Sequence, residues 1–183
     1  MPRVLLFLAA STAILPLSWR SFRNFRAHGF YRFFAFESLL ALILLNAPKW
    51  FRNPFSARQL IAWFLGAVSI GLAIEGFRLL KVIGRPVTAS SGSANLAFEN
   101  TTALVTVGAY RWIRHPLYAS LLALAGSAWL KDPLGACSLA LIAGASASLL
   151  ATAITEEQEN LQRFGEVYAG YIKRTRRFIP FIF

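Results

Sequence analysis

Apolar and polar positions alternate along this chain on the scale of whole helices. Five apolar stretches run at about 3–19, 33–48, 59–80, 117–130 and 134–155, divided by short basic or polar segments. A membrane-spanning helix needs about 20 consecutive, mostly apolar residues. The third and fifth stretches satisfy that rule; the other three are short. The pattern predicts an all-α, polytopic membrane protein with about five transmembrane helices and a short cytosolic C-terminal helical segment. We read 1–183 as a single membrane domain, with a three-helix part at 3–85 and a helical hairpin plus C-terminal segment at 104–183. The first stretch has the Arg3-plus-apolar-run look of a signal peptide, but Pro16, Leu17 and Trp19 make a poor cleavage site.

Small residues mark the expected helix contacts. Ala136, Ala140, Gly144, Ser148 and Thr152 recur every four residues in the fifth stretch; Ala62 with Gly66 and Ala67 with Gly71 do so in the third. Such stripes let backbones approach closely in lipid. Two acids fall inside predicted spans. Glu75 has Arg78 one turn away for an i,i+3 ion pair. Glu37 lies near the interface beside Arg32, and either acid could instead line a substrate path. The only long polar connection, Pro86 to Thr102, leads straight into a polar cluster and is a candidate lid.

Composition agrees with the membrane reading: 56% of the 183 residues are hydrophobic and the mean hydropathy is +0.52, yet 15% are charged. The net charge of +11 falls mainly between the apolar stretches. That favours a lipid surface over nucleic acid as the partner. Cys137 is the only cysteine, and His28 and His115 are the only histidines, so no metal site is expected. With five spans, Arg20, Arg23, Arg26, Arg32, Arg78, Lys81, Arg85, Arg111, Arg114, Arg163, Lys173, Arg174, Arg176 and Arg177 share one side; Arg3, Lys49, Arg52, Arg58 and Lys131 share the other. The positive-inside rule then puts the larger set and the C-terminus in the cytoplasm, and the N-terminus outside. In a prokaryote the membrane would be the inner or plasma membrane.

The candidate chemistry lies in two polar clusters. One runs from Gly108 through Tyr110, Arg111, Arg114, His115 and Pro116 to Tyr118. The other runs from Glu156-Glu157 through Phe164, Gly165 and Tyr168 to Lys173-Arg174-Thr175-Arg176-Arg177. The fourth and fifth stretches between them would form a hairpin, returning the chain to the side it left and bringing the clusters together. Proline biases His115 away from helix and fits the first turn of a helix starting at Pro116. That helix end, with Arg114 and His115, would hold an anion; an anchoring Arg/His/Tyr belt is an equal reading. Gly165 could end one helix before another begins. Glu156 and Glu157 alone would read as a solvated helix end, and Arg176 and Arg177 as a lipid-headgroup contact.

Taken together, the two clusters resemble the integral-membrane methyltransferases. The residues that carry this are Leu104-Val105-Thr106, Gly108, Tyr110-Arg111, Arg114-His115-Pro116 and Tyr118, then Glu156-Glu157, Leu161, Phe164-Gly165, Tyr168, Tyr171 and Phe178-Ile179-Pro180. That superfamily includes the isoprenylcysteine carboxyl methyltransferases and the phospholipid N-methyltransferases. The family often has glycine two residues after the tyrosine of Arg-His-Pro-x-Tyr; here it is Ser120, which blurs the subfamily. The resemblance implies S-adenosylmethionine as cofactor, in a cytosol-facing site where Tyr110, His115, Tyr118, Glu156, Glu157, Leu161 and Tyr168 would bind it. Arg114 and Arg174 match basic positions near the reacting end and would be catalytic. The acceptor would be lipophilic, most simply a carboxylate of the isoprenylcysteine type docked by Arg174. An amine acceptor would instead need Glu156, Glu157 or Glu75 as base. A non-catalytic membrane scaffold and a sterol-reductase-type dinucleotide enzyme are the other readings. A Rossmann methyltransferase is excluded, for no glycine-rich loop follows a strand.

Overall fold

A computed structural model describes residues 2–19, 21–23, 27–86 and 101–182. Its described residues are helical, without strands: α1 (Pro2–Ser18), α2 (His28–Asn46), α3 (Ala57–Val82), α4 (Pro116–Trp129) and α5 (Ala136–Arg174). Each falls on one of the five apolar stretches. Ser56 caps α3, its side chain accepting from the Gln59 N–H at 3.4 Å. α4 begins at Pro116 with His115 as its N-cap, as the proline predicts.

The segments containing α2, α3 and α5 are long and apolar enough to cross a membrane; α1 is a shorter apolar helix. The count of five spans is therefore not confirmed. At 1.5 Å per residue the 14 residues of α4 reach only about 21 Å, against a hydrocarbon core of about 30 Å. α4 instead occupies the middle of the bundle, touching α2, α3 and α5, while α1 packs on α2. Its Ala119, Ser120, Ala125, Ser127 and Ala128 are buried. Outward faces stay apolar: Leu5, Phe64, Ile70 and Ile74 are all exposed. Surfaces of that kind fit an integral membrane protein.

The helix contacts differ in part from the small-residue stripes. Ala62 is fully buried, its carbonyl accepting from Ser127 Oγ at 2.7 Å, and a Cβ on Gly66 would meet the same hydroxyl at 3.4 Å. Ala67, Gly71, Ala136 and Ala140, however, are exposed. The buried face of α5 is Ser138, Ala145, Leu149, Thr152 and Ala153. α5 is rotated because α2 brings polar groups to its start: Asn46 donates to Ser138 Oγ at 3.2 Å and to Ala128 O at 3.0 Å.

The two intramembrane acids are placed as well. Glu37 accepts from Ser11 Oγ at 2.6 Å, tying α1 to α2. Glu75 accepts the Ala109 N–H at 2.9 Å instead of pairing with Arg78.

The hairpin of α4 and α5 does bring both polar clusters to one end. The opposite end joins the 49–59 loop to the 131–132 turn through a Lys49–Asp132 ion pair and Lys131 Nζ, which donates to Gln59 Oε1 at 2.7 Å and lies 3.7 Å from the centre of the Trp63 ring. Of the lid candidate, residues 87–100 lie outside the described residues, as do Arg20 and Arg26 of the charge count.

Candidate functional site

Gly108 opens the site. Its φ of +58° favours a residue without Cβ, and any Cβ there would press on Glu75 Oε1. Glu75 thus pins a 3₁₀ turn, Gly108–Arg111, that delivers Tyr110 inward, 7% exposed. Gly165 does the corresponding work in α5. At φ 54°, ψ −133° it breaks the helix, as the sequence predicts, and its position has open space around it, so only backbone conformation demands glycine. The short helix beyond the break carries Tyr168 and Tyr171, both buried and 5.8 Å apart between ring centres. The Tyr171 hydroxyl donates to the Tyr110 carbonyl at 2.6 Å, closing one wall against the other.

The cavity between these walls measures about 280 Å³. Its polar wall holds Tyr110, Arg114, His115, Tyr118, Ser120, Glu156, Asn160, Tyr168 and Tyr171; its apolar wall holds Phe36, Ala73, Phe77, Leu80, Leu117, Leu121 and Leu124. His115 stacks on Tyr118 with 5.4 Å between ring centres and 16° between planes. Its Nδ1 is 3.7 Å from Glu156 and its Nε2 3.4 Å from Glu157. Burial, then the Glu156 carboxylate and Tyr171, push the Tyr110 phenol far above its ordinary pKa, so it stays a neutral hydrogen-bonding group.

Of the residues singled out from sequence, Tyr110, Arg114, His115, Tyr118, Glu156 and Tyr168 share this wall. Glu157 stands behind it, 7% exposed, accepting from Arg114 Nε at 2.8 Å and Arg177 Nη2 at 3.0 Å. Leu161 and Arg174 are not part of the lining. Leu161 is 38% exposed, and Arg174 turns back to Gly170 O at 3.3 Å on the exposed side.

The sequence reading missed how the C-terminal segment closes the site. Arg177 was expected to meet lipid; it grips Glu157. Backbone hydrogen bonds run both ways between the segments: Arg114 N to Arg176 O at 2.7 Å, His115 N to Arg177 O at 3.1 Å and Arg176 N to Trp112 O at 3.0 Å. Arg114 Nη1 adds a bond to Thr175 O at 2.6 Å. Asn160 and Arg32 of the wall were also missed as site residues. Asn160 lies one turn past Glu156, so helical spacing could have found it; nothing local marks Arg32.

The donor set suits an adenosyl amino-acid sulfonium. A carboxylate, Glu156, faces the cavity for positive charge, aromatic rings offer a slot for a base, and the α4 N-terminus with Arg114 beside it suits a carboxylate. Among the described residues, no group of three or more His, Cys, Asp or Glu could hold a metal ion.

Residues 87–163 match the model of the isoprenylcysteine carboxyl methyltransferase (ICMT) family. The match takes in Tyr110, Arg114, His115, Tyr118, Glu156 and Glu157, and ends before Tyr168, Tyr171 and Arg177. No curated protein and no solved structure matches the chain.

Proposed function

We propose, from the family match and the cavity together, that this protein is an S-adenosylmethionine-dependent membrane methyltransferase acting on a lipid-like carboxylate. One observation carries the reading: residues about 40 positions apart, on both sides of the α4–α5 hairpin, line one cavity whose polar wall continues into an apolar one. When bound, the cofactor supplies an electrophilic methyl group; a carboxylate acceptor is already a nucleophile, so the protein mainly binds, orients and excludes water.

Each residue's part follows from its place. Glu156 offers negative charge to the cationic end of the cofactor. His115, Tyr118 and Tyr168 supply flat surfaces for its adenosyl part. Arg114, fixed by Glu157 and the Thr175 carbonyl, holds positive charge rigidly in the wall. The apolar wall takes the tail of the acceptor, which enters from the bilayer between helices. The test is transfer of a labelled methyl group by purified protein to a farnesylated cysteine analogue and, separately, to phosphatidylethanolamine vesicles, beside titration with S-adenosylhomocysteine. Labelling of the farnesylated carboxylate is expected. Labelling of the phospholipid alone would move the reading to N-methylation, with Glu156 as the base. Absence of S-adenosylhomocysteine binding would overturn it.

A further inference from the structure

The C-terminal segment has two faces, and the reading above uses only one. Inward, Phe178 is buried in a cluster with Ala35 of α2 and Leu149 and Ala153 of α5. Arg177 Nη2 donates to Glu157 at 3.0 Å, and the carbonyls of Arg176 and Arg177 accept from the Arg114 and His115 N–H groups. The segment thus straps the cavity wall from behind. It lies beyond the stretch that matches the methyltransferase family.

Outward, the strap and its neighbour turn large apolar side chains away from the protein. Ile179 is 52% exposed, Phe181 77% and Ile182 77%. Trp112, itself 47% exposed, joins them, with 5.3 Å between its ring centre and that of Phe181. Exposed cations edge this patch. The Arg111 guanidinium lies 5.2 Å from the centre of the Trp112 ring. Arg176, whose backbone N–H donates to Trp112 O at 3.0 Å, is exposed as well.

Depth tells what covers the patch. Ala35, Leu149 and Ala153 belong to helices long and apolar enough to cross a membrane, and Phe178 is buried in their cluster. Phe181 and Ile182 follow within a few residues, so the patch stays close to the hydrocarbon boundary. Apolar bulk edged by tryptophan is what a membrane interface holds, and cations placed there draw anionic head groups. We propose that this patch is seated in the anionic lipid interface of the membrane that the protein spans, and that the lipid surface thereby holds the strap closed and raises cofactor affinity. The effect on the cofactor rests on the methyltransferase reading; the lipid contact does not. The link between them is mass action. A surface that binds the strapped state better than an open one favours the strapped state, in which Arg177 and Arg114 share Glu157 behind the cavity.

The experiment titrates wild type with S-adenosylhomocysteine in nanodiscs of phosphatidylcholine, alone and with phosphatidylglycerol added. One cation at an anionic surface is worth about fivefold, so affinity should rise by about fivefold or more with phosphatidylglycerol. The gain should vanish at about 1 M salt, where such attraction is screened. The double variant Arg111→Gln, Arg176→Gln should lose most of the gain. A spin label at Ile182→Cys, in a Cys137→Ser background, should be reached by oxygen and shielded from a water-soluble nickel chelate. A label open to the chelate puts the patch in water and overturns the proposal. A label closed to both agents puts it against another protein chain and overturns it too. So does a wild-type affinity indifferent to phosphatidylglycerol, or a gain that survives the double substitution. The label needs no cofactor and so reads the lipid contact by itself; failure of the methyltransferase reading would show instead as no S-adenosylhomocysteine binding by wild type in either lipid.

Discussion

Glu156 and Glu157 are neighbours in sequence with different surroundings. Glu156 lines the cavity, and its side chain keeps 24% exposure. Glu157 is 9% exposed at the side chain and sits between Arg114 and Arg177. Removing one partner from a buried ion pair leaves the others desolvated and unmatched, which costs on the order of 3–5 kcal/mol. Glu157→Ala should therefore lower the melting temperature in detergent clearly. Glu156→Ala should leave melting close to wild type and weaken S-adenosylhomocysteine binding by about 1.5–3 kcal/mol, the value of a charge-assisted contact. Equal melting temperatures for the two variants would count against this division of roles. Ser120, where the family often has glycine, is accommodated simply. Its hydroxyl donates to Leu117 O at 2.7 Å within the first turns of α4, so its polarity is spent on the helix itself.

Among the elements, α5 carries the most functional weight. A 39-residue helix would run straight past the cavity were it not broken at Gly165. The break turns the last turns inward, so that Tyr171 meets Tyr110, Tyr168 joins the same wall and the chain beyond can lie along residues 112–115. Gly165→Ala meets no steric obstacle and acts only through its backbone, at about 1–3 kcal/mol for a residue held in such a region. The variant should keep its helical circular dichroism and lose S-adenosylhomocysteine affinity, because the helix would favour continuing straight. Wild-type affinity in Gly165→Ala would mean the break is incidental to the site. The short α4 belongs to the same logic. Its helix start, with Pro116 in the first turn and His115 before it, sets the ring of His115 against Tyr118 and delivers both to the wall.

Across the whole molecule, the ends of the bundle are chemically unlike. One end gathers His28, the 108–118 segment and residues 156–178; the other joins the 49–59 loop to the 131–132 turn. Among the described residues, arginine and lysine are more numerous at the first end, and we propose on the positive-inside rule that this end is the cytoplasmic one. Reporter fusions at the C-terminus and within the 49–58 loop should report opposite compartments, the C-terminal one cytoplasmic. The same compartment for both would break the alternation on which this orientation rests, whatever the fate of the short α1 and α4.

Much of this architecture could be read from the chain alone. Runs of apolar residues mark all five helices because hydropathy acts on contiguous residues. Pro116 and Gly165 mark a helix start and a break because each restricts or frees its own backbone. Two helices joined by a short turn must return to the same end, which is why the two polar clusters meet. What no local pattern encodes is rotation of a helix about its axis and pairing across long separations. Thus Ala136 and Ala140 face outward although their spacing suggested a contact, since Asn46 and Ser138 set the face of α5 that α2 meets. Glu157 supports the wall from behind because Arg177, twenty residues on, folds back to it. Arg32 reaches the cavity only because α2 packs on α5. Helix positions follow from local free energies along the sequence; the identity of the cavity wall follows from contacts that exist only once those helices have packed.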